Sequence, residues 1–162
     1  MVESNTNLLL EGWLDGAVRS YAYMAGSEGI KNFLKSASEV CYAHLLEAAE
    51  NKGLAVRAND PQSVIEQVGK IETGLGILPE GHVKVAKQED NLEVEYIGCP
   101  YAHVCSGILS DMIEKAAKQT TLPCFRSEVY MSAIAVEARG KGKYTLKQYA
   151  PGERCAIEIE LI

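Results

Sequence analysis

A change of hydrophobic period near residue 80 predicts an α+β domain, with helices first and a mostly antiparallel sheet after. Upstream of that point apolar residues recur every three or four positions; downstream they alternate. The breaks between runs are short and marked by Gly, Pro, Asn and Asp, and no linker or low-complexity stretch divides the 162 residues. The chain therefore reads as one domain over 1–162, with a helical part at 1–78 and a hairpin, a helix and a C-terminal meander at 79–162. The expected order is ααα-ββ-α-βββ.

The first helix runs from Asn5 to Met24 on Leu10, Leu14, Ala17, Val18 and Tyr21, and Gly26 supplies its stop. A second begins at Ser27, with Ile30, Phe33, Leu34, Ala37, Cys41, Leu45 and Ala48 on one face, and ends at "NKG". Asp60 then offers an N-cap and Pro61 a first-turn proline to a third helix, whose Val64, Ile65, Val68 and Ile71 point inward. Gly74, Gly76 and Pro79 end it, so "GLG" is a helix terminator and not a nucleotide loop. "HVKVAKQEDNLEVEYIG" alternates on both sides of "QEDN", a hairpin that sets Val83 and Val85 on the same face as Leu92, Val94 and Tyr96. A fourth helix follows through Ile108, Met112, Ile113 and Ala116. The tail from "SAIAVEA" to the end reads as three strands with turns at "GKGK" and "APGE". In the last of these, Glu158 and Glu160 alternate with Ile157, Ile159 and Leu161 and take the solvent face.

Composition narrows the function classes. The chain is 47% hydrophobic and 23% charged, which supports a packed core. Its net charge is −6, and Arg139, Lys141 and Lys143 form only a short glycine-broken cluster, so a nucleic-acid partner is not expected. No run approaches the ~18 apolar residues of a membrane span. The opening "MVESNTNLLLEGW" lacks a signal peptide's basic region, and five irregularly spaced cysteines read as reduced thiols in a cytoplasmic protein. Leu8, Leu9, Leu10 and Trp13 spread over more than one face of the first helix, which predicts a homodimer.

The chemistry concentrates in "GCPYAHVC", residues 98–105. Cys99 follows a strand end, where side chains from distant segments converge, and His103 stands one helical turn further on. Cys124, in "TLPCF", precedes the expected meander, and Cys155 falls in the final strand. Cys41 and Cys105 sit on apolar helix stripes and read as core. Zinc favours thiolate and imidazole, so Cys99, His103, Cys124 and Cys155 are the candidate metal set. Alternatively Cys99 is a nucleophile with His103 as its base, and Glu95 or Asp111 is available to orient the ring. In the third arrangement the same thiols, with Tyr101, line a ligand pocket.

"TLKQYAPGERCAIEIEL" resembles the end of the vinyl-4-reductase domain, also described as hydrocarbon-binding, which has many archaeal members. The triple "IGCP", "LPCF" and "GERC" is similar to one in the L-2-amino-thiazoline-4-carboxylate hydrolase-like branch. The resemblance covers residues 80 to 162 and implies a fold shared with TRAPP subunits and haem-NO-binding domains. Phenol-sensing relatives hold zinc with a Glu and a Cys where Tyr144 and Lys147 stand here, and the hydrolase-like branch has an acid where Arg126 and Ser127 stand. Together these features favour a binding domain for a small apolar molecule, sensory or regulatory, with Cys99, Tyr101, His103, Cys124 and Cys155 in its pocket. A cysteine-dependent hydrolase or reductase and a structural assembly subunit are the alternatives.

Overall fold

The computed structural model describes residues 3–99, 101, 124–148, 150 and 153–162. Helix α1 (Glu3–Glu50) is bent at Gly26, whose φ of 68° and ψ of −169° are not helical, so the stop expected there is a sharp break between two helical arms. Along the second arm Ile30, Leu34, Ser38, Tyr42 and Ala49 are buried. Helix α2 (Pro61–Gly74) begins as its sequence demands: Asp60 is the N-cap, and its carboxylate accepts the Ser63 N–H at 2.9 Å. The Ser63 side chain first, and this backbone bond after it, hold the Asp60 carboxyl below the usual carboxylate range.

Strands β1 (Val83–Gln88) and β2 (Asn91–Ile97) pair antiparallel with Val83 opposite Tyr96 and Val85 opposite Val94, the register that the alternation requires. After them comes a correction. Residues expected as the first meander strand belong to helix α3 (Phe125–Glu137). Its buried stripe is Arg126, Val129, Tyr130, Ala133 and Ile134, spaced by three and four; an arginine at the head of the stripe disguises a helical pattern. The meander is thus a hairpin of β3 (Gly142–Gln148) and β4 (Arg154–Leu161). The helix expected through Ile108 to Ala116 lies outside the described residues.

The four described strands form one sheet in the order β1-β2-β4-β3, every neighbouring pair antiparallel. Its inner face carries Leu92, Val94, Tyr96, Ile157 and Ile159, and α2 and α3 lay Val64, Ile65, Val68, Tyr130, Ala133 and Ile134 against it. Each such side chain contributes about 1.5–3 kcal/mol by leaving water. Helix α1 closes over α3, tied by the Tyr42 hydroxyl donating to Glu137 at 2.9 Å and by a Ser38–Ser132 contact at 3.2 Å. No helix of the described residues is long and apolar enough to cross a membrane. The side chains of Leu8, Leu9, Leu10 and Trp13, on which the dimer expectation rests, are outside those described.

Candidate functional site

Gly98, at φ 60°, turns the chain into the left-handed region directly after β2, where a Cβ would be strained. Its N–H donates to the Glu153 carbonyl at 3.4 Å, which brings Cys99 toward the start of β4. There Cys155 stands opposite Tyr96, on the strand face of Ile157 and Ile159, and packs against the core. β4 is central in the sheet, flanked by β2 and β3.

Cys124 is placed otherwise than expected. It does not lead into a strand but is the extended N-cap of α3, without a side-chain cap bond, because the residues after it form a helix. Its N–H donates to the Tyr144 hydroxyl at 3.0 Å, whose own proton goes to Glu128 at 2.9 Å. Tyr144 therefore anchors a helix end.

The three thiols come from three segments of the chain: the end of β2, the cap of α3 and the start of β4. Burial raises the Cys124 thiol above its ordinary range, the Ser127 hydroxyl and amide oppose that, and Cys99 and Cys155 both disfavour a charge on it. Burial likewise raises Cys155, against a backbone contact from Ala150 and the charge of Arg126. Cys41 is half-buried near Tyr101 and is also raised by burial, with the Tyr101 hydroxyl acting the other way. The Tyr101 ring meets Phe125 edge-on at 4.8 Å. All four described cysteines are free. His103 and Cys105 lie outside the described residues. Among the described residues no three His, Cys, Asp or Glu side chains are grouped to hold a metal ion.

Beside the thiols lies a buried polar cluster that pattern reading passed over. Glu72 Oε2 is 2.7 Å from His82 Nε2 and accepts the Tyr130 hydroxyl at 2.6 Å. His82 Nδ1 is 2.6 Å from the Pro79 carbonyl, an acceptor only, so that nitrogen carries a proton. Arg126, 2% exposed, stacks its guanidinium on the Tyr96 ring at 4.7 Å and reaches 3.7 Å from Glu72 Oε2. Among the described residues none of its three guanidinium nitrogens has a hydrogen-bond partner, nor has the buried hydroxyl of Tyr96 or Ser127. Ser127 lies near the Tyr96 hydroxyl and Tyr130 near the guanidinium, but short of hydrogen-bond geometry.

Two signals for this cluster stand in the sequence. Glu72 continues the Ile65, Val68 stripe of α2, and Arg126 heads the Val129, Tyr130, Ala133 stripe of α3. An acid and a base on apolar stripes mark charges that the fold buries.

No family model and no curated protein matches the chain. Among solved structures it is similar to an Fe(II) unliganded H-NOX protein from K. algicida, at 14% identity and a TM-score of 0.51. A point variant of that protein matches at 12% identity and the same TM-score. Each match covers 82% of this chain and 63% of the H-NOX chain. The likeness shows the fold: helices on an antiparallel sheet in the H-NOX arrangement, the one the sequence resemblance implied.

Proposed function

We propose that the chain is a small-molecule-binding domain, sensory or regulatory, and a member of the vinyl-4-reductase group of hydrocarbon-binding proteins. Its ligand lies where the end of β2, the start of β4 and the first turn of α3 meet, beside Tyr101. The observation that carries this reading is placement: Cys155 lies on the inner face of β4 opposite Tyr96, Cys124 caps α3, and the Gly98–Glu153 hydrogen bond brings Cys99 toward the start of β4. Small, weakly polar groups converging on an apolar interior suit an apolar ligand with a few oriented contacts. The fold shared with the H-NOX proteins supports a ligand-binding role. Among the described residues His44 is exposed beside Glu47, and His82 has both ring nitrogens engaged.

Mass spectrometry of freshly purified protein, native and then denatured, tests the reading together with alkylation by iodoacetamide. The expected native species is a dimer carrying an additional mass that denaturation removes. Cys124 and Cys155 should alkylate slowly at neutral pH and faster above the ordinary thiol range, since burial raises both. A bare polypeptide mass, with every thiol reacting like free cysteine, would sink the proposal. Fast reaction confined to Cys99 would favour the catalytic alternative with His103 as base.

A further inference from the structure

Among the described residues the Glu72–His82 pair, whatever its proton arrangement, leaves Arg126 without a balancing charge. His82 Nδ1 holds one proton against the Pro79 carbonyl, and the 2.7 Å contact from Nε2 to Glu72 Oε2 needs a second between them. Imidazolium with carboxylate, or imidazole with carboxylic acid, both sum to zero. Tyr130 donates to the same carboxyl oxygen without changing that sum. Glu72 therefore spends its charge on His82 and stands beyond hydrogen-bond distance from the guanidinium, at 3.7 Å. A buried cation remains, with three nitrogens unpartnered among the described residues.

Such a group is costly to fold around. Stacking on Tyr96 returns part of what desolvation removes, but it satisfies none of the in-plane N–H donors. Those donors form a planar fork that matches a carboxylate with two parallel bonds. Two further groups without partners among the described residues belong to the same neighbourhood: the Tyr96 hydroxyl and the Ser127 hydroxyl, the latter on the first turn of α3. That turn has no side-chain cap, and a helix N-terminus favours negative charge. Cys99 and Cys155 are near enough to Arg126 to interact with its charge, which ties the cation to the thiol-lined site.

We infer that Arg126 holds the carboxylate of an organic acid whose apolar remainder lies among the thiols and Tyr101. Tyr96 and Ser127 complete the anionic subsite. This rests on the pocket reading above and adds the ligand's class: an acid with an apolar body, not a neutral hydrocarbon.

Benzoate and its neutral counterpart benzamide are suitable probes, read by the shift in melting temperature and by calorimetric titration of the full chain. Benzoate should raise the melting temperature of the natural protein in proportion to its concentration, and benzamide should bind at least ~10-fold more weakly. Arg126→Met should abolish the preference, while Arg126→Lys, a point charge without the fork, should keep it at reduced affinity. Arg126→Met should also melt, without probe, no lower than the natural protein, because an unmatched buried cation has been replaced by an apolar chain. Equal binding of both probes, unaffected by Arg126→Met, would leave the pocket standing and overturn the acid. Failure of benzoate to bind would overturn the inference, and so would a sharply lower melting temperature for a folded Arg126→Met. If the methionine variant does not fold, the natural protein and Arg126→Lys decide the matter by the same preference.

Discussion

Glu128 shows how one side chain serves the end of a helix and is altered by doing so. It accepts the Tyr144 hydroxyl at 2.9 Å, and Tyr144 in turn accepts the N–H of Cys124, so the first turn of α3 is held from the sheet side. Burial raises the Glu128 carboxyl above the usual range, the Tyr144 hydrogen bond and Lys35 oppose this, and Glu39 adds to it. A carboxyl raised on folding binds its proton better in the folded state. Its contribution is therefore complete below the unfolded value and is lost as pH rises through the folded one. Glu128→Gln, always neutral and still an acceptor, should flatten the fall in stability with rising pH just above the ordinary glutamate value of about 4.3. Melting temperatures between about pH 4 and pH 7 check this, and an unchanged slope would contradict it.

At the scale of elements, α1 depends on Gly26. Its two arms are joined through a backbone conformation, φ 68° with ψ −169°, that is essentially confined to glycine. No side chain crowds the position, so the constraint is conformational and not steric contact with a neighbour. The break lets the first arm bring Val18 into a small satellite core with Ile30 and Leu34, against which Phe125 packs. Gly26→Ala should cost about 1–3 kcal/mol, measured by urea unfolding. A variant of unchanged stability with higher helical dichroism would mean that the arms prefer to join straight.

For the molecule as a whole, Glu72 is the point at which α2, α3 and the approach to β1 are held together inside. Its single oxygen Oε2 meets His82, Tyr130 and Arg126, which come from segments far apart in the chain. Removing the carboxylate would leave the ring nitrogen and the phenol unpartnered and take away the oxygen that stands 3.7 Å from the Arg126 guanidinium. Glu72→Ala should therefore cost about 3–5 kcal/mol, a large share of the roughly 5–15 kcal/mol of a typical domain. Denaturant unfolding checks this directly: a loss below about 1 kcal/mol would show that water serves these groups as well as Glu72 does.

Periodicity alone determined most of the frame: the break at Gly26, the capped start of α2 at Asp60, the register of the β1–β2 hairpin and the inward face of β4. These are local consequences of side-chain spacing, turn chemistry and the pleat, and each is legible over a dozen residues. Helix α3 was not legible, because "SAIAVEA" taken alone alternates like a strand, and its helical stripe starts upstream at Arg126, which reads as a surface residue. The candidate cysteines could be named from the sequence, yet Cys124 acquired its role as a helix cap only once α3 had formed. The cluster of Glu72, His82, Arg126 and Tyr130 was decided by tertiary structure alone. A charge on an apolar stripe signals burial, but which groups surround it depends on how two helices and a sheet edge meet, and no spacing along the chain encodes that.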